Sequence, residues 1–210
     1  MKTKIFQTIT IDDIEYIISK IKSYPFIELR LDHILHLDFK FIFSKTNNNE
    51  IIATMQINKK NKQRAIDLLI YMIDLGATSV DINIESLNYS EIDNLIQYSK
   101  IKNCNTILSI HNFNGIFSEK EIEIFINQKN QKKLNFIKIV VNPTNDKEYN
   151  DFKKWYNIFD NVIFLCTGKY SLASRLYAIE RCVPFVYSLA DGSNPLFDGH
   201  IYYSELVKYL

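Results

Sequence analysis

A single lysine, Lys138, interrupts the apolar run Phe136-Ile137-Lys138-Ile139-Val140-Val141. A lysine inside a strand reaches an edge, joins a structural ion pair, or points into the core. In the last case burial disfavours the ammonium form and frees an amine that can attack a carbonyl carbon. His111 ends a second run, Ser109-Ile110-His111-Asn112, and brings an imidazole able to move protons near neutral pH. Two further runs alternate: Glu28-Leu29-Arg30-Leu31-Asp32 and Asp81-Ile82-Asn83-Ile84-Glu85. In a strand, side chains two apart share a face, so each run lays its polar groups on one side. Amine chemistry on Lys138 with His111 as proton carrier is one reading of this set. A structural polar layer is the other.

The elements that must hold these residues repeat eight times, a short apolar run followed by a longer segment of helical periodicity. The candidate strands are Lys4–Gln7, Phe26–Leu31, Ile51–Met55, Ser79–Ile84, Thr106–Ile110, Phe136–Val141, Val162–Cys166 and Pro184–Ser188. Between them, apolar residues recur every three or four positions. Thr10 is expected to open the first helix, with Asp12 and Asp13 in its first turn. Gly76 closes the segment Lys62–Leu75, and Ser90 and Ser118 stand at N-cap positions, Ser118 with Glu121 at capping-box spacing. Strict alternation implies parallel strands with right-handed crossovers. Eight units in one domain, residues 1–210, predict an α/β fold of the (β/α)8 TIM-barrel type. An open doubly wound sheet fits less well, because Gln7–Thr10 offers no glycine-rich phosphate loop. In a barrel, strand C-termini carry the site, where Lys138, His111, Glu28 and Arg30 fall.

Composition narrows the class. The 210 residues are 47% hydrophobic and 23% charged with a formal net charge of +1, so no basic field argues for nucleic acid. No run approaches the roughly 20 apolar residues of a membrane span, and Met1 to Thr10 reads as a strand, not as a signal peptide. A cytoplasmic protein is expected. Cys104, Cys166 and Cys182 form no CxxC pair and no ligand cluster with the histidines, so neither a disulfide nor a metal is expected.

Read together, Phe26–Asp32 (FIELRLD), Ser109–Phe113 (SIHNF), Ile137–Val140 (IKIV), Ala173-Ser174-Arg175-Leu176 and Ser188 to Ile201 resemble the type I 3-dehydroquinate dehydratases in identity and order. The resemblance spans essentially the whole chain. It implies dehydration of 3-dehydroquinate to 3-dehydroshikimate in the shikimate pathway, with no metal or cofactor. It implies that Lys138 forms an imine with the C3 ketone and that His111 is the general acid/base. Arg175 matches the arginine that pairs with the substrate carboxylate, Glu28 and Arg30 match residues holding the ring hydroxyls, and Ser188 matches a serine at the start of the lid loop Ala190–Gly199. A homodimer is expected by the same resemblance. The residues are coherent with it: an elimination beside a ketone needs an electron sink and one base, and an anionic, hydroxyl-rich substrate needs an arginine and several hydrogen-bond partners.

Several positions depart from the family's pattern. Gln56 stands where an arginine is usual, and Asn58-Lys59-Lys60-Asn61 replaces a Glu-Gly-Gly run whose glutamate pairs with the catalytic histidine. Phe197-Asp198-Gly199-His200 replaces Pro-Gly-Gln in the lid, Asn83 stands where an acid is common, and Ser171 where glycine is usual. Gln56 and His200 are nonetheless expected at the substrate, with Asp81 or Glu85 orienting His111 or Lys138. Two other functions remain open, another Schiff-base lyase of the class I aldolase type and a non-catalytic barrel that binds a small carboxylate.

Overall fold

Apolar strands can bury both faces only when helices cover one side and strand side chains fill the other, and the chain meets that demand by curling its sheet. The computed structural model describes residues 2–34, 37–159 and 162–210; Met1, included in the first strand's reading, lies outside them. The strands are β1 (Lys4–Ile9), β2 (Phe26–Arg30), β3 (Glu50–Met55), β4 (Ser79–Asn83), β5 (Asn105–Asn112), β6 (Phe136–Val141), β7 (Val162–Cys166) and β8 (Phe185–Leu189). The helices are α1 (Ile14–Ser23), α2 (Phe39–Phe43), α3 (Lys62–Leu75), α4 (Glu91–Ile101), α5 (Glu119–Lys132), α6 (Asp146–Lys154), α7 (Ser171–Glu180) and α8 (Tyr203–Leu206). All strand pairs are parallel, in the order β7-β6-β5-β4-β3-β2-β1-β8. The barrel is therefore nearly closed: among the described residues no backbone ladder joins β7 to β8. No described helix is long and apolar enough to cross a membrane.

Two apolar layers hold this shape. Inside, Phe6, Ile52, Ile107, Ile163 and Phe185 plug the barrel below the site, with Phe6–Phe26, Phe6–Phe185 and Phe136–Phe185 ring centroids 5.1–5.5 Å apart. Truncating one of these phenylalanines to alanine would cost about 3–5 kcal/mol. Outside, the helices bury Ile17, Leu69, Leu95, Ile122 and Phe152 against the outward faces of the strands. Helix ends follow local chemistry. Gly76 adopts the left-handed φ of +108° that ends α3, and Ser118 forms a full capping box with Glu121. Ser90 makes no capping bond. Asp13, not Thr10, caps α1 by accepting from the Tyr16 amide at 2.8 Å.

Thr10 has a different task. Its hydroxyl donates to Asn194 O and accepts from the Asn194 amide, both at 2.9 Å, fastening the start of the 190–199 loop to the end of β1. Tyr16 adds a bond to Asp191 O at 2.8 Å. The far end is fastened by the Gly168 amide, which donates to Asp198 O at 3.0 Å. Here Gly199 has φ +74°, and a Cβ on it would stand 2.6 Å from Gly168 O and 2.7 Å from Gly168 N. Backbone cannot yield as a side chain does. Gly199→Ala is therefore expected to pry the loop from Gly168 and to speed limited proteolysis within residues 190–199, while circular dichroism stays that of the parent. Cleavage at the parental rate would show that the contact does not hold the loop.

Candidate active site

The inward-facing positions near the C-terminal ends of the strands change from apolar to polar, and the polar groups pair with one another. On one side, Glu28 is 3% exposed and accepts from the hydroxyls of Thr8 and Thr54, the latter at 2.7 Å. On the other, Lys138 Nζ donates to Asp81 Oδ2 at 2.7 Å while Ser109 donates to Asp81 Oδ1. Lys138 is 6% and Asp81 1% exposed, so this is a buried ion pair. Its desolvation penalty is large, and the added hydroxyl donor and the Tyr187 ring face 4.3 Å from Nζ offset part of it.

Two cavities open above this layer. The inner one, about 40 Å³, is lined by Glu28, Lys138, Arg175, Tyr187, Phe197 and His200, among others. The outer one, about 440 Å³, is lined by Thr54, Gln56, Asp81, Ser109, His111 and Lys138, with Phe113 and Leu196 at its rim. Arg30, His111, Lys138 and Phe197 border both. The inner space has room for little more than one carboxylate-sized group, and the outer one for a substituted ring.

Arg175 reaches the inner cavity from α7, not from a strand. It is 2% exposed, and every bond it makes is to a neutral oxygen: Nε to Tyr187 O at 2.7 Å, and Nη1 to Cys166 O, Ser171 O and Ser171 Oγ at 3.1, 3.0 and 2.6 Å. Ser171, where the family usually has glycine, thus supplies a partner. The Nη2 group makes no hydrogen bond among the described residues. Burial lowers the guanidinium's pKa to about 10, which still leaves it cationic. A buried cation with only neutral partners is a seat for an anion.

His200 stands beside it. Burial, then the charges of Arg175, Arg30 and Lys138, lowers its pKa to about 3. The ring is neutral at neutral pH, and its Nδ1 accepts from the Leu196 amide at 3.5 Å, which leaves the proton on Nε2. His111 is also held well below the ordinary histidine range, by enclosure at the barrel mouth and then by the nearby cations Lys138 and Arg30. The residue is nonetheless exposed at the barrel mouth and lines both cavities, and it makes no hydrogen bond among the described residues. It stacks on Phe113 at 5.6 Å, Phe113 meets Phe197 at 6.0 Å, and Phe197 stacks on His200 at 4.4 Å, so four rings bridge the mouth.

The remaining expected residues sort themselves by geometry. Arg30 is held by a two-pronged pair with Asp32 at 2.7 and 2.9 Å. Gln56 borders the outer cavity from the exposed end of β3. Asn83 clamps both polar groups of the Ile57 backbone, which holds the start of the loop after β3, and donates to Glu85. Asp81 orients Lys138, whereas Glu85 orients neither Lys138 nor His111. Lys60 lies in an exposed turn built on Asn58 and Asn61. Ser188, expected at the substrate, is instead 0% exposed with an unpartnered hydroxyl, and it lines neither cavity. Tyr187 points inward, so strand alternation turns Ser188 out beneath the helices. Thr8, Thr54 and Tyr187 went unnoticed in the sequence, though each lies at an inward position of its strand.

The model of one family, described as Type I 3-dehydroquinase, matches residues 5–210. The chain belongs to the type I 3-dehydroquinase family. With the family comes the class of catalyst, a hydro-lyase acting on 3-dehydroquinate. Among solved structures the chain is similar to the type I 3-dehydroquinate dehydratase of Clostridium difficile, at 18% identity and a TM-score of 0.82, covering 99% of this chain and 90% of that one. It is likewise similar to the dehydratase of Aquifex aeolicus VF5, at 18% identity and a TM-score of 0.79, covering 98% and 96%. For the Geobacillus kaustophilus HTA426 dehydratase the values are 13%, 0.80, 99% and 90%. At such identities the structural likeness speaks for the fold. By sequence alone, no curated protein matches the chain.

The depressed histidines give this enzyme a pH signature. A group with a lowered native pKa takes up protons on unfolding, so its contribution is intact above about pH 6.5 and is lost as pH falls toward about 3. His200→Gln replaces the ring by a neutral amide. Unfolding free energy is expected to fall less steeply for His200→Gln than for the parent between pH 6.5 and 5, by up to about 1.4 kcal/mol per pH unit. Parallel slopes in urea titrations would contradict this assignment.

Proposed function

We propose that the chain dehydrates 3-dehydroquinate to 3-dehydroshikimate through an imine on Lys138. The observation that carries the reading is the enclosure of Lys138, His111 and an anion-seeking Arg175 around one pair of adjoining cavities. His111, neutral and exposed at the barrel mouth, takes a proton from the Lys138 ammonium. The free amine adds to the C3 carbonyl, and the carbonyl oxygen leaves as water with the proton returned by His111. The iminium withdraws electrons, so His111 can remove the C2 proton, and the electron pair moves to expel the C1 hydroxyl, which His111 protonates. Hydrolysis of the iminium releases the product and restores the lysine.

The other residues bind. Arg175 Nη2 and the Nε2–H of neutral His200 take the carboxylate in the inner cavity, while Glu28 and Arg30 face the ring hydroxyls and Gln56 borders the ring's outer side. Asp81 holds Lys138 in place until reaction. The Clostridium difficile relative was solved with covalently modified comenic acid, which supports covalent chemistry with a carboxylic acid in this family.

Borohydride added with 3-dehydroquinate is expected to fix a mass on Lys138, and Lys138→Ala should abolish both adduct and turnover. His111→Ala should slow turnover by about 10²–10⁴-fold and still yield an adduct on longer exposure. Full turnover by Lys138→Ala would end the mechanism. We further propose a homodimer, supported by exposed Val207, Tyr209 and Leu210 at the chain's end; light scattering should report twice 24.7 kDa, and a monomeric mass would refute it.

A further inference from the structure

Tyr187 is the residue beside the reactive lysine to which the mechanism above gives no task. It is 4% exposed on β8, with its ring wedged 6.3 Å from Phe6 and 5.7 Å from Phe185. Its carbonyl accepts from Arg175 Nε at 2.7 Å, so backbone and ring are both fixed. The residue lines the inner cavity, and its buried hydroxyl makes no hydrogen bond of full geometry among the described residues, although it stands close enough to Asp81 for a weak side-chain contact. Burial, then the charges of Asp81 and Glu28 and the contact with Asp81, keeps that phenol protonated, so it is a donor. A buried donor beside a carboxylate, yet without a full hydrogen bond to it, calls for an explanation.

Asp81 supplies one. The carboxylate takes one strong donor on each oxygen, Ser109 on Oδ1 and Lys138 on Oδ2. When the lysine nitrogen gives up its proton and bonds to a carbonyl carbon, Oδ2 loses its donor on a carboxylate that is only 1% exposed. A buried carboxylate left so is unfavourable, and this would hold the lysine back. The phenol of Tyr187 stands next to Asp81 with no competing partner among the described residues. The ring contributes at both ends of the step, since its face attracts the ammonium before attack and the iminium after it.

We propose that Tyr187 is a positioning residue for Lys138, its ring seating the lysine's cation and its hydroxyl taking over Asp81 Oδ2 when the amine leaves to attack. This rests on the reading of Lys138 as the nucleophile. Tyr187→Phe keeps the ring and removes only the hydroxyl. It is expected to lower kcat for 3-dehydroquinate about tenfold with KM within about twofold, the size of one charge-assisted bond. Because the hydroxyl makes no full hydrogen bond in the resting enzyme, the melting temperature should match or exceed that of the parent, where a structural hydroxyl would lower it. Labelling of Lys138 by formaldehyde and cyanoborohydride, read by mass spectrometry against surface lysines, should slow by a similar factor. Tyr187→Leu, which loses the ring as well, should be slower again in both readouts. Labelling at the parental rate in Tyr187→Phe overturns the proposal, as does a joint fall of kcat and melting temperature. Should the parent fail to turn over 3-dehydroquinate, the dehydratase reading falls, and the labelling comparison alone decides the role of Tyr187.

Discussion

A parallel barrel must satisfy the backbone groups where the two ends of its sheet meet, and among the described residues the ladder between β7 and β8 is missing. Arg175 stands in that gap. One guanidinium donates to Cys166 O on β7 and to Tyr187 O on β8, so a side chain from α7 ties together carbonyls that no neighbouring strand reaches. The same fork presents its remaining edge to the inner cavity. Architecture and recognition thus share one residue: the group that tethers the seam is the group left without a counter-anion.

The rest of the site follows from how charge is buried around that seam. Lys138 is balanced by Asp81, Arg30 by Asp32, and Glu28 by two threonine hydroxyls. Among the described cations that line the inner cavity, only Arg175 has exclusively neutral partners, so an incoming carboxylate completes the pairing and does not disrupt it. Burial, and then the accumulated cations, keep both histidines neutral, one as a proton acceptor and one as a fixed donor. That helps explain how the site manages without an acid on His111. An imidazole surrounded by positive charge has no need of a carboxylate to stay unprotonated, although it gains no help in holding a proton either.

Much of this was legible in the sequence. The eight apolar runs fall on the eight strands with ends within two residues, because a strand buried on both faces needs a continuous apolar stretch whatever its tertiary setting. Lys138, Asp81 and Glu28 were visible as polar breaks in those runs, and Arg175 and His200 through the family likeness. What was hidden depends on direction or on distant partners. Extending β8 to Leu189 does not move Ser188, but the inward turn of Tyr187 excludes it from the site, and a single strand gives no sign of which parity faces in. Thr10 looked like a helix cap because threonine serves there, yet its partner lies 184 positions away in the chain. The unpaired seam is likewise a property of the closed sheet, not of β7 or β8 read separately.

The four rings across the mouth carry a consequence for timing. Of the side chains that divide the inner from the outer cavity, Arg30, His111 and Lys138 are strand-borne, and Phe197 alone belongs to the loop after β8, whose ends are fastened at Thr10 and Gly168. Passage between the compartments can then be governed by rotation of one aromatic ring, with the loop as a whole staying in place. Side-chain reorientation runs from picoseconds upward, whereas concerted loop opening takes nanoseconds to microseconds or longer. An entrance built on a single ring lets the two compartments exchange contents on a faster timescale than opening of the whole loop would allow.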